Sequence, residues 1–159
     1  MKIDGNVVFI MYGTNDENSD ANVNGDPAII ADFKAKLKTM CTAYLQNHWR
    51  VVVVSCPYNT TVNATKQNAY NVAQAEAAAE TGVLFVDVYN NMIDNPTPNV
   101  YLFDNNHLSA LGNDFVTGLT VGVWQGRASR TPTLDFPSIS ANTYADLTVR
   151  VAGARTNMA

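Results

Sequence analysis

Three almost continuously apolar runs, separated by helical patterns, constrain the fold of this chain more than any other feature. They cover Val7 to Met11, Val51 to Cys56 and Val83 to Val88. An apolar run without alternation is typical of a strand that is covered on both faces in a parallel sheet. Strands that alternate with helices indicate such a sheet, with right-handed crossovers between its strands. The sequence therefore predicts an α/β fold.

The segment after the first strand carries a clear helix signal. Asp26 is placed to cap a helix that has Pro27 in its first turn. Apolar side chains then recur every three or four residues and predict a stripe that packs on the sheet. The stripe consists of Ile29, Ile30, Phe33, Leu37, Met40, Cys41, Tyr44 and Leu45.

Two further helices are predicted later in the chain. An alanine-rich stretch, residues 65–80, ends before Gly82, which stands where a C-terminal cap belongs. The last helix covers residues 110–124 and follows Ser109, whose hydroxyl suits an N-cap. The remaining long connections, residues 16–26 and 90–99, are predicted to be loops.

Length and composition are those of one globular domain. The chain has 159 residues, of which 47% are hydrophobic and 15% charged, so it can bury a substantial core. A net charge of -4 and the lack of any lysine or arginine run argue against a nucleic-acid partner. No apolar run is long enough for a membrane span, so no membrane partner is expected. For Cys41 and Cys56, buried free thiols are favoured over a disulfide.

The strongest indication of chemistry lies between Asp104 and Gly112, where an acid and an imidazole stand three residues apart. The carboxylate of Asp104 can accept the Nδ1 hydrogen of His107 across one tight turn. This contact fixes the tautomer that leaves Nε2 free as a general base. The alternative is that Asp104 is only a cap and His107 only a polar loop residue.

A second candidate segment is Gly13-Thr14-Asn15-Asp16, which follows the first strand at the carboxyl end of the sheet. Open α/β folds place their ligands at this end. The side-chain amide of Asn15 could point at a developing oxyanion. The alternative is an ordinary polar turn, which the same four residues would also form.

Three other polar features favour structural roles. Ser55 ends the second strand without a Gly-x-Ser-x-Gly elbow, so its hydroxyl is expected to be satisfied locally. The segment from Asp20 to Gly25 copies the first half of a calcium loop, but Ala31 stands where that loop needs a glutamate. We expect a turn-rich loop there and no metal. His48 is expected to be a helix cap or a surface residue.

Together, Gly13-Thr14-Asn15-Asp16 and Asp104-Asn105-Asn106-His107 resemble the third and fifth blocks of the SGNH, or GDSL-like, hydrolases, a family of esterases. The resemblance covers about residues 7–123. It implies a three-layer α/β/α, flavodoxin-like parallel sheet. It also implies that Asp104 and His107 are the acid and base of a catalytic triad. Gly13 and Asn15 would form part of the oxyanion or substrate-binding site, and no cofactor would be needed.

The family's nucleophile block, Gly-Asp-Ser, and its second block, with an oxyanion glycine, would precede Val7 and are not in this sequence. In the family fold, the strand that bears the nucleophile lies beside the strand that corresponds to Val7 to Met11. That strand is interior by its composition, and an open apolar edge is an aggregation hazard. We therefore expect the chain to be a C-terminal portion of a longer protein that supplies the serine.

The end of the chain has a different character. Residues 1–126 are expected to form the incomplete hydrolase-like domain, and residues 127–159 a linker and the start of a β-rich module. Leu134 to Ile139 and Ala145 to Val151 predict a β-hairpin. This segment resembles the β-rich modules that end bacteriophage tail-fibre and tail-spike proteins. The resemblance implies a virion-tail location and a tail through which copies of the chain could associate.

The predicted function is ester hydrolysis by a serine enzyme, with an acylated carbohydrate or another ester as substrate. The chain as given has only the groups that support the nucleophile, so we expect it to be inactive alone. The rival prediction is a non-catalytic carbohydrate-binding or structural tail module on a hydrolase scaffold, because a fold alone does not imply activity.

Overall fold

The computed structural model of the protein describes residues 6–124, so the predicted linker, β-hairpin and domain boundary lie outside the described residues. The elements in chain order are β1 (Val7–Met11), α1 (Thr14–Ser19), α2 (Pro27–Gln46), β2 (Arg50–Val54), α3 (Ala64–Thr81), β3 (Leu84–Val86), α4 (Val88–Ile93), a 3-10 helix (Pro98–Tyr101) and α5 (Ala110–Trp124). Within this range, no helix combines the length and apolar character that a membrane crossing requires.

The three strands form one parallel sheet in the order β1-β2-β3. Val8 of β1 pairs with Val51 of β2, and Val53 of β2 pairs with Phe85 of β3. The central position of β2 explains its run of valines, because a strand between two neighbours and two helical layers meets no water. The parallel sheet confirms the predicted α/β fold.

Alternate side chains of β2 enter two different cores. Val51 and Val53 pack with side chains of α2 and α3, whereas Val52 and Val54 pack with side chains of α4 and α5. Successive side chains of a strand point to opposite faces of the sheet. Helices therefore cover both faces, which is the three-layer arrangement that the family resemblance implies.

Among the described residues, β1 is an edge strand and is only partly covered. Ile10 is buried against the α2 and α3 layer, whereas Phe9 and Met11 are 48% and 46% exposed. Phe9 and Met11 share the opposite face of the strand, because they flank Ile10 in sequence. Thus β1 combines the composition of an interior strand with an apolar face that is half open to solvent.

Two segments that were predicted to be loops contain short helices. α1 extends into the start of the segment 16–26, and α4 and the 3-10 helix overlap the two ends of the segment 90–99. These helices have only 6, 6 and 4 residues, too few for a 3.6-residue period to be recognised. β3 also ends earlier than predicted, because the Asp87 carboxylate accepts the Asn90 N–H and caps α4.

The long helices begin and end at the predicted caps. The Asp26 carboxylate accepts the Ala28 N–H at 2.8 Å at the start of α2. Gly82 follows α3 with a φ of 70°, the left-handed conformation that glycine adopts most easily. The apolar stripe of α2 is shorter than predicted, because Ile29 and Leu45 near its ends are 44% and 39% exposed.

His48 closes α2 in the left-handed conformation, with a φ of 62°. Its N–H donates to the carbonyl of Leu45, and the Trp49 N–H donates to the carbonyl of Tyr44, both at 3.0 Å. This pair of hydrogen bonds defines a Schellman motif. The rings of Tyr44 and Trp49 lie 5.7 Å apart and supply the apolar contact that accompanies it. The prediction that His48 serves as a cap is confirmed.

Candidate active site

A short hairpin presents Asp104 and His107 at the protein surface. Leu102 and Leu108 form an antiparallel bridge, and the Phe103 N–H donates to the carbonyl of His107 at 2.8 Å. Both leucines pack into the core on the α5 face of the sheet. Phe103 and His107, which follow these leucines toward the tip, are exposed and lie away from that core.

The Asp104 carboxylate binds the hairpin backbone and the His107 ring at the same time. Oδ1 accepts the N–H groups of Asn106 and His107, each at 2.7 Å. Oδ2 lies 2.8 Å from Nδ1 of His107. The contact that the Asp-x-x-His spacing predicts is present. Asp104 also caps the turn, so the two interpretations of this residue are not exclusive.

These hydrogen bonds favour the ionised carboxylate. The Asn106 N–H, the His107 ring and the His107 N–H lower the pKa of Asp104 to about 2. An ionised Asp104 holds the Nδ1 hydrogen, so Nε2 is the nitrogen that can take up a proton. The His107 side chain is 75% exposed, so a substrate can reach it.

Helix α5 fixes the second arm of the hairpin. The Ser109 hydroxyl accepts the Gly112 N–H and donates to the carbonyl of Val100, each at 3.1 Å. Gly112 lies so close to the 3-10 helix that a Cβ at this position would collide with the carbonyl oxygen of Tyr101. The rings of Tyr101 and Phe115 stack with centroids 4.4 Å apart. The prediction of Ser109 as the N-cap is confirmed, and the helix start is tightly anchored.

Gly13 and Asn15 lie where the chain passes from β1 into α1. Gly13 has a φ of 132°, which L side chains rarely adopt. A Cβ there would lie only 3.0 Å from the Cys56 sulfur and from the Phe33 ring. Only glycine therefore fits this turn. The side chain of Asn15 is exposed and has no hydrogen-bond partner within residues 6–124, which leaves its amide available to a ligand.

Hydrogen bonds through the loop between β2 and α3 hold both candidate segments at one edge of the sheet. Thr61 Oγ1 donates to Oδ1 of Asn18 in α1 at 3.1 Å. The Thr60 N–H donates to the carbonyl of Asn105 in the hairpin at 2.8 Å. α1 and the hairpin therefore meet at the carboxyl edge of the parallel strands, where open α/β sheets place their ligands.

Sequence reasoning missed a buried polar cluster beneath α1. Glu17 is 2% exposed, and burial raises its pKa to about 8, although the Cys56 thiol and Lys66 oppose this rise. Glu17 Oε2 has no hydrogen-bond partner among the described residues. The Lys66 ammonium group donates instead to the carbonyl oxygens of Glu17 and Asp20, at 3.1 and 2.7 Å. No sequence signal separates Glu17 from its polar neighbours, because α1 is too short to show a period.

The buried hydroxyl and thiols near the sheet are not activated nucleophiles. Ser55 is fully buried, and its Oγ accepts the Tyr89 N–H at 3.0 Å, so its hydroxyl is satisfied as predicted, but by a residue 34 positions away and not by a local partner. Cys41 and Cys56 are buried and free, as predicted. Burial, and then the nearby Glu17, raise the pKa of Cys56 to about 12, so little thiolate exists at neutral pH.

The loop that resembles half a calcium site is a turn held by its own aspartate. Asp20 accepts the N–H groups of Asn22 and Asp26 at 2.9 and 2.8 Å. The Tyr70 hydroxyl lies 3.3 Å from the same carboxylate. Across the described ranges, no cluster of three or more His, Cys, Asp or Glu side chains could hold a metal ion. The carboxylate is thus used by the protein itself.

Comparison with known proteins bears on this arrangement of strands, hairpin and helix start. The sequence profile of the GDSL-like Lipase/Acylhydrolase family matches residues 2–115. The chain belongs to this family. No curated protein sequence matches it significantly.

Two solved structures show the fold of this GDSL-like family member in other proteins. A lipase/acylhydrolase from Enterococcus faecalis is 22% identical, with a TM-score of 0.63 over 76% of this chain and 62% of that chain. An acetylxylan esterase from Geobacillus stearothermophilus is 18% identical, with a TM-score of 0.58 over 79% of this chain and 62% of that chain. The chain therefore spans less than two thirds of the length of either protein.

Proposed function

We propose that this chain supplies the acid–base pair and part of the oxyanion site of a serine ester hydrolase. The observation that carries the proposal is the 2.8 Å contact between Asp104 Oδ2 and His107 Nδ1 on an exposed hairpin. Membership of the GDSL-like Lipase/Acylhydrolase family supports the same chemistry. The position of the hairpin beside α1 supports it further, because the proposed base and oxyanion donor then share one edge of the sheet.

In this proposal, His107 acts first as a general base and then as a general acid. Nε2 takes the serine proton as the serine oxygen bonds to the ester carbonyl carbon. It returns that proton to the leaving alcohol as the ester C–O bond breaks, which leaves an acyl-serine. Water then attacks the acyl-serine in the same way and releases the carboxylic acid. Asp104 stabilises the imidazolium that forms in each half of the reaction.

Asn15 is the proposed donor to the oxyanion. Its amide is exposed and has no partner within residues 6–124, so it can donate to the oxygen that gains charge as the carbonyl is attacked. Gly13 contributes through its backbone, because its positive φ allows the turn that starts α1.

The serine nucleophile is proposed to come from a segment outside residues 6–124. Of the three serines in this range, Ser55 is buried against the Tyr89 N–H, Ser109 caps α5, and Ser19, at the end of α1, makes no hydrogen bond to His107. The chain covers 62% of each of the two solved structures that share its fold. Among the described residues, β1 is at the edge of the sheet and Met11 is 46% exposed, which leaves a place where a further strand can pair and a helix can pack.

We infer that the substrate is an acylated carbohydrate. One structural neighbour is named an acetylxylan esterase, and the surroundings of His107 are rich in asparagine and threonine side chains, which suit a hydroxylated molecule. The tail-fibre-like sequence of residues 134–154 supports a place in a virion tail, where copies of the chain would associate through that tail.

A second candidate function is carbohydrate binding without catalysis. It is favoured by one observation, which is that none of the three serines within residues 6–124, Ser19, Ser55 and Ser109, is hydrogen-bonded to His107. In that case the hairpin and α1 would form a binding surface on a hydrolase scaffold.

Turnover of 4-nitrophenyl acetate and of an acetylated oligosaccharide by the longest natural form of the protein separates the two candidates. His107→Ala should abolish turnover, because the serine loses its base. His48→Ala is the matched control, since His48 caps α2 away from the hairpin, and it should keep turnover. An inert wild-type protein that binds the polysaccharide as well as the His107→Ala variant does would establish the second candidate.

A further inference from the structure

Phe103 is the cross-strand neighbour of His107. The bridge between Leu102 and Leu108 sets an antiparallel register in which the next pair is Phe103 and His107. The hydrogen bond from the Phe103 N–H to the carbonyl of His107 confirms this pairing. Directly opposite residues have Cβ atoms roughly 5 Å apart and side chains on the same face. The backbones of Phe103 and His107 are therefore adjacent, and both side chains are exposed.

The Phe103 ring is exposed to solvent, and the hairpin that carries it is held by several hydrogen bonds. It is 82% exposed, the largest fraction among the exposed large hydrophobic side chains of the described residues. The hairpin that carries it is held by the Asp104 carboxylate, by the Leu102–Leu108 bridge and by the bond from Thr60 to Asn105. Single exposed apolar residues are common on protein surfaces. What distinguishes this one is its place beside the proposed catalytic base.

We propose that Phe103 is a substrate-binding residue on which the sugar ring of the leaving alcohol packs. This inference rests on the proposed function. His107 must return its proton to the oxygen of the leaving alcohol, so the group that carries this oxygen lies beside the imidazole. It therefore also lies beside Phe103. The acyl group extends from the other side of the carbonyl carbon, away from this ring.

The chemistry around Phe103 matches a pyranose ring. Such a ring has a face of C–H groups about the size of a phenyl ring and a rim of hydroxyl groups. Phe103 supplies a flat apolar surface for the face. The exposed amides of Asn18 and Asn105 lie on the same sheet edge and can bind the rim. The combination favours a sugar over a simple alkyl alcohol.

Two acetate esters with different alcohols test this assignment in the longest natural form of the protein. Phe103→Ala should lower kcat/KM for tetra-O-acetyl-xylopyranose about tenfold, mainly through KM, because the ring contact stabilises the bound substrate. Ethyl acetate, which lacks a ring, should be hydrolysed equally by both proteins. Phe103→Trp should retain activity toward the sugar ester. Val23→Ala, at another exposed apolar residue, is the control and should change neither rate.

Equal losses on both esters, or no loss on the sugar ester, would overturn the role of Phe103 and leave the proposed function standing. If the wild-type protein hydrolyses neither ester, the proposed function fails, and binding then tests the aromatic site alone. Xylotetraose at millimolar concentration should shift the NMR signals of Phe103 and His107 in the present chain, and Phe103→Ala should remove the His107 shift. Absence of these shifts in the wild-type chain, or their persistence in the variant, would overturn the inference.

Discussion

At the residue scale, Asp104 has a structural role and a proposed catalytic role that one substitution separates. Asp104→Asn keeps an oxygen that can accept the N–H groups of Asn106 and His107, so the hairpin should persist. The amide cannot stabilise an imidazolium and favours the wrong His107 tautomer. We expect kcat of the intact protein to fall on the order of 1000-fold or more, with KM nearly unchanged.

Steady-state kinetics and thermal unfolding of the same Asp104→Asn preparation measure the two roles. Asn15→Ala is the comparison for the fall in kcat of Asp104→Asn, because removal of one oxyanion donor should lower kcat roughly 100- to 1000-fold. If Asp104→Asn lowers the melting temperature steeply and turnover only in proportion, Asp104 serves the hairpin alone.

Glu17 makes the stability of the fold depend on pH. Burial raises its pKa from 4.5 to about 8, so between these values the folded chain keeps a proton that the unfolded chain has lost. The free energy of unfolding therefore falls as pH rises from about 4.5 to 8. Glu17→Gln removes this dependence and should stabilise the protein at pH 8 by on the order of 2 kcal/mol or more.

Urea unfolding at pH 5 and pH 8 measures the effect of Glu17→Gln. The gain in stability should be small at pH 5 and large at pH 8. Glu76→Gln alters an exposed partner of Lys34 and serves as the control, without this pattern. A gain that is the same at both pH values would mean that Glu17 is ionised in the folded chain.

At the scale of elements, the end of α2 carries avoidable strain. His48 adopts a φ of 62°, and a left-handed conformation costs an L residue roughly 1 kcal/mol that glycine does not lose. We expect His48→Gly to raise the free energy of unfolding by up to about 1 kcal/mol. Chemical denaturation measures the change. Asn47→Gly, one residue earlier with a φ of -93°, should destabilise the protein, because glycine gains nothing there.

The sequence predicted those elements whose signals are local and long enough to repeat. The valine run of β2 and the caps Asp26, Gly82 and Ser109 each depend on neighbours in the sequence, and each is where the pattern indicates. α1 and α4 have too few residues to show a period. They are held by tertiary contacts, such as the burial of Met92 and the hydrogen bonds from Lys66 to the carbonyls of Glu17 and Asp20, which only the tertiary fold determines.

The same distinction applies to the candidate site. The contact between Asp104 and His107 was predictable, because two residues three apart in a tight turn have few other arrangements. The hydrogen bonds from Thr60 to Asn105 and from Thr61 to Asn18 join segments that are distant in sequence, and no sequence pattern predicts them. The placement of Phe103 opposite His107 depends on the bridge between Leu102 and Leu108, which the sequence did not predict either.

At the scale of the whole molecule, residues 6–124 hold the proposed acid–base pair, but none of the serines in this range is hydrogen-bonded to His107. We expect the 159-residue chain to hydrolyse 4-nitrophenyl acetate no faster than free imidazole does. A spectrophotometric assay against an equal concentration of imidazole measures this. Ser19→Ala and Ser55→Ala should behave like the wild-type chain. Turnover that a serine-reactive phosphonate abolishes, with the label on either serine, would show that the chain carries its own nucleophile.

The loop-to-loop hydrogen bonds at the sheet edge have a consequence for how the protein is made. Those from Thr61 to Asn18 and from Thr60 to Asn105 span 43 and 45 residues. Contacts over such separations form slowly compared with helices. During synthesis, α2 and α3 can form before Asn105 leaves the ribosome, but the two halves of the site are still apart. The proposed binding edge therefore appears late, and a stalled or cleaved nascent chain can be helical without displaying it.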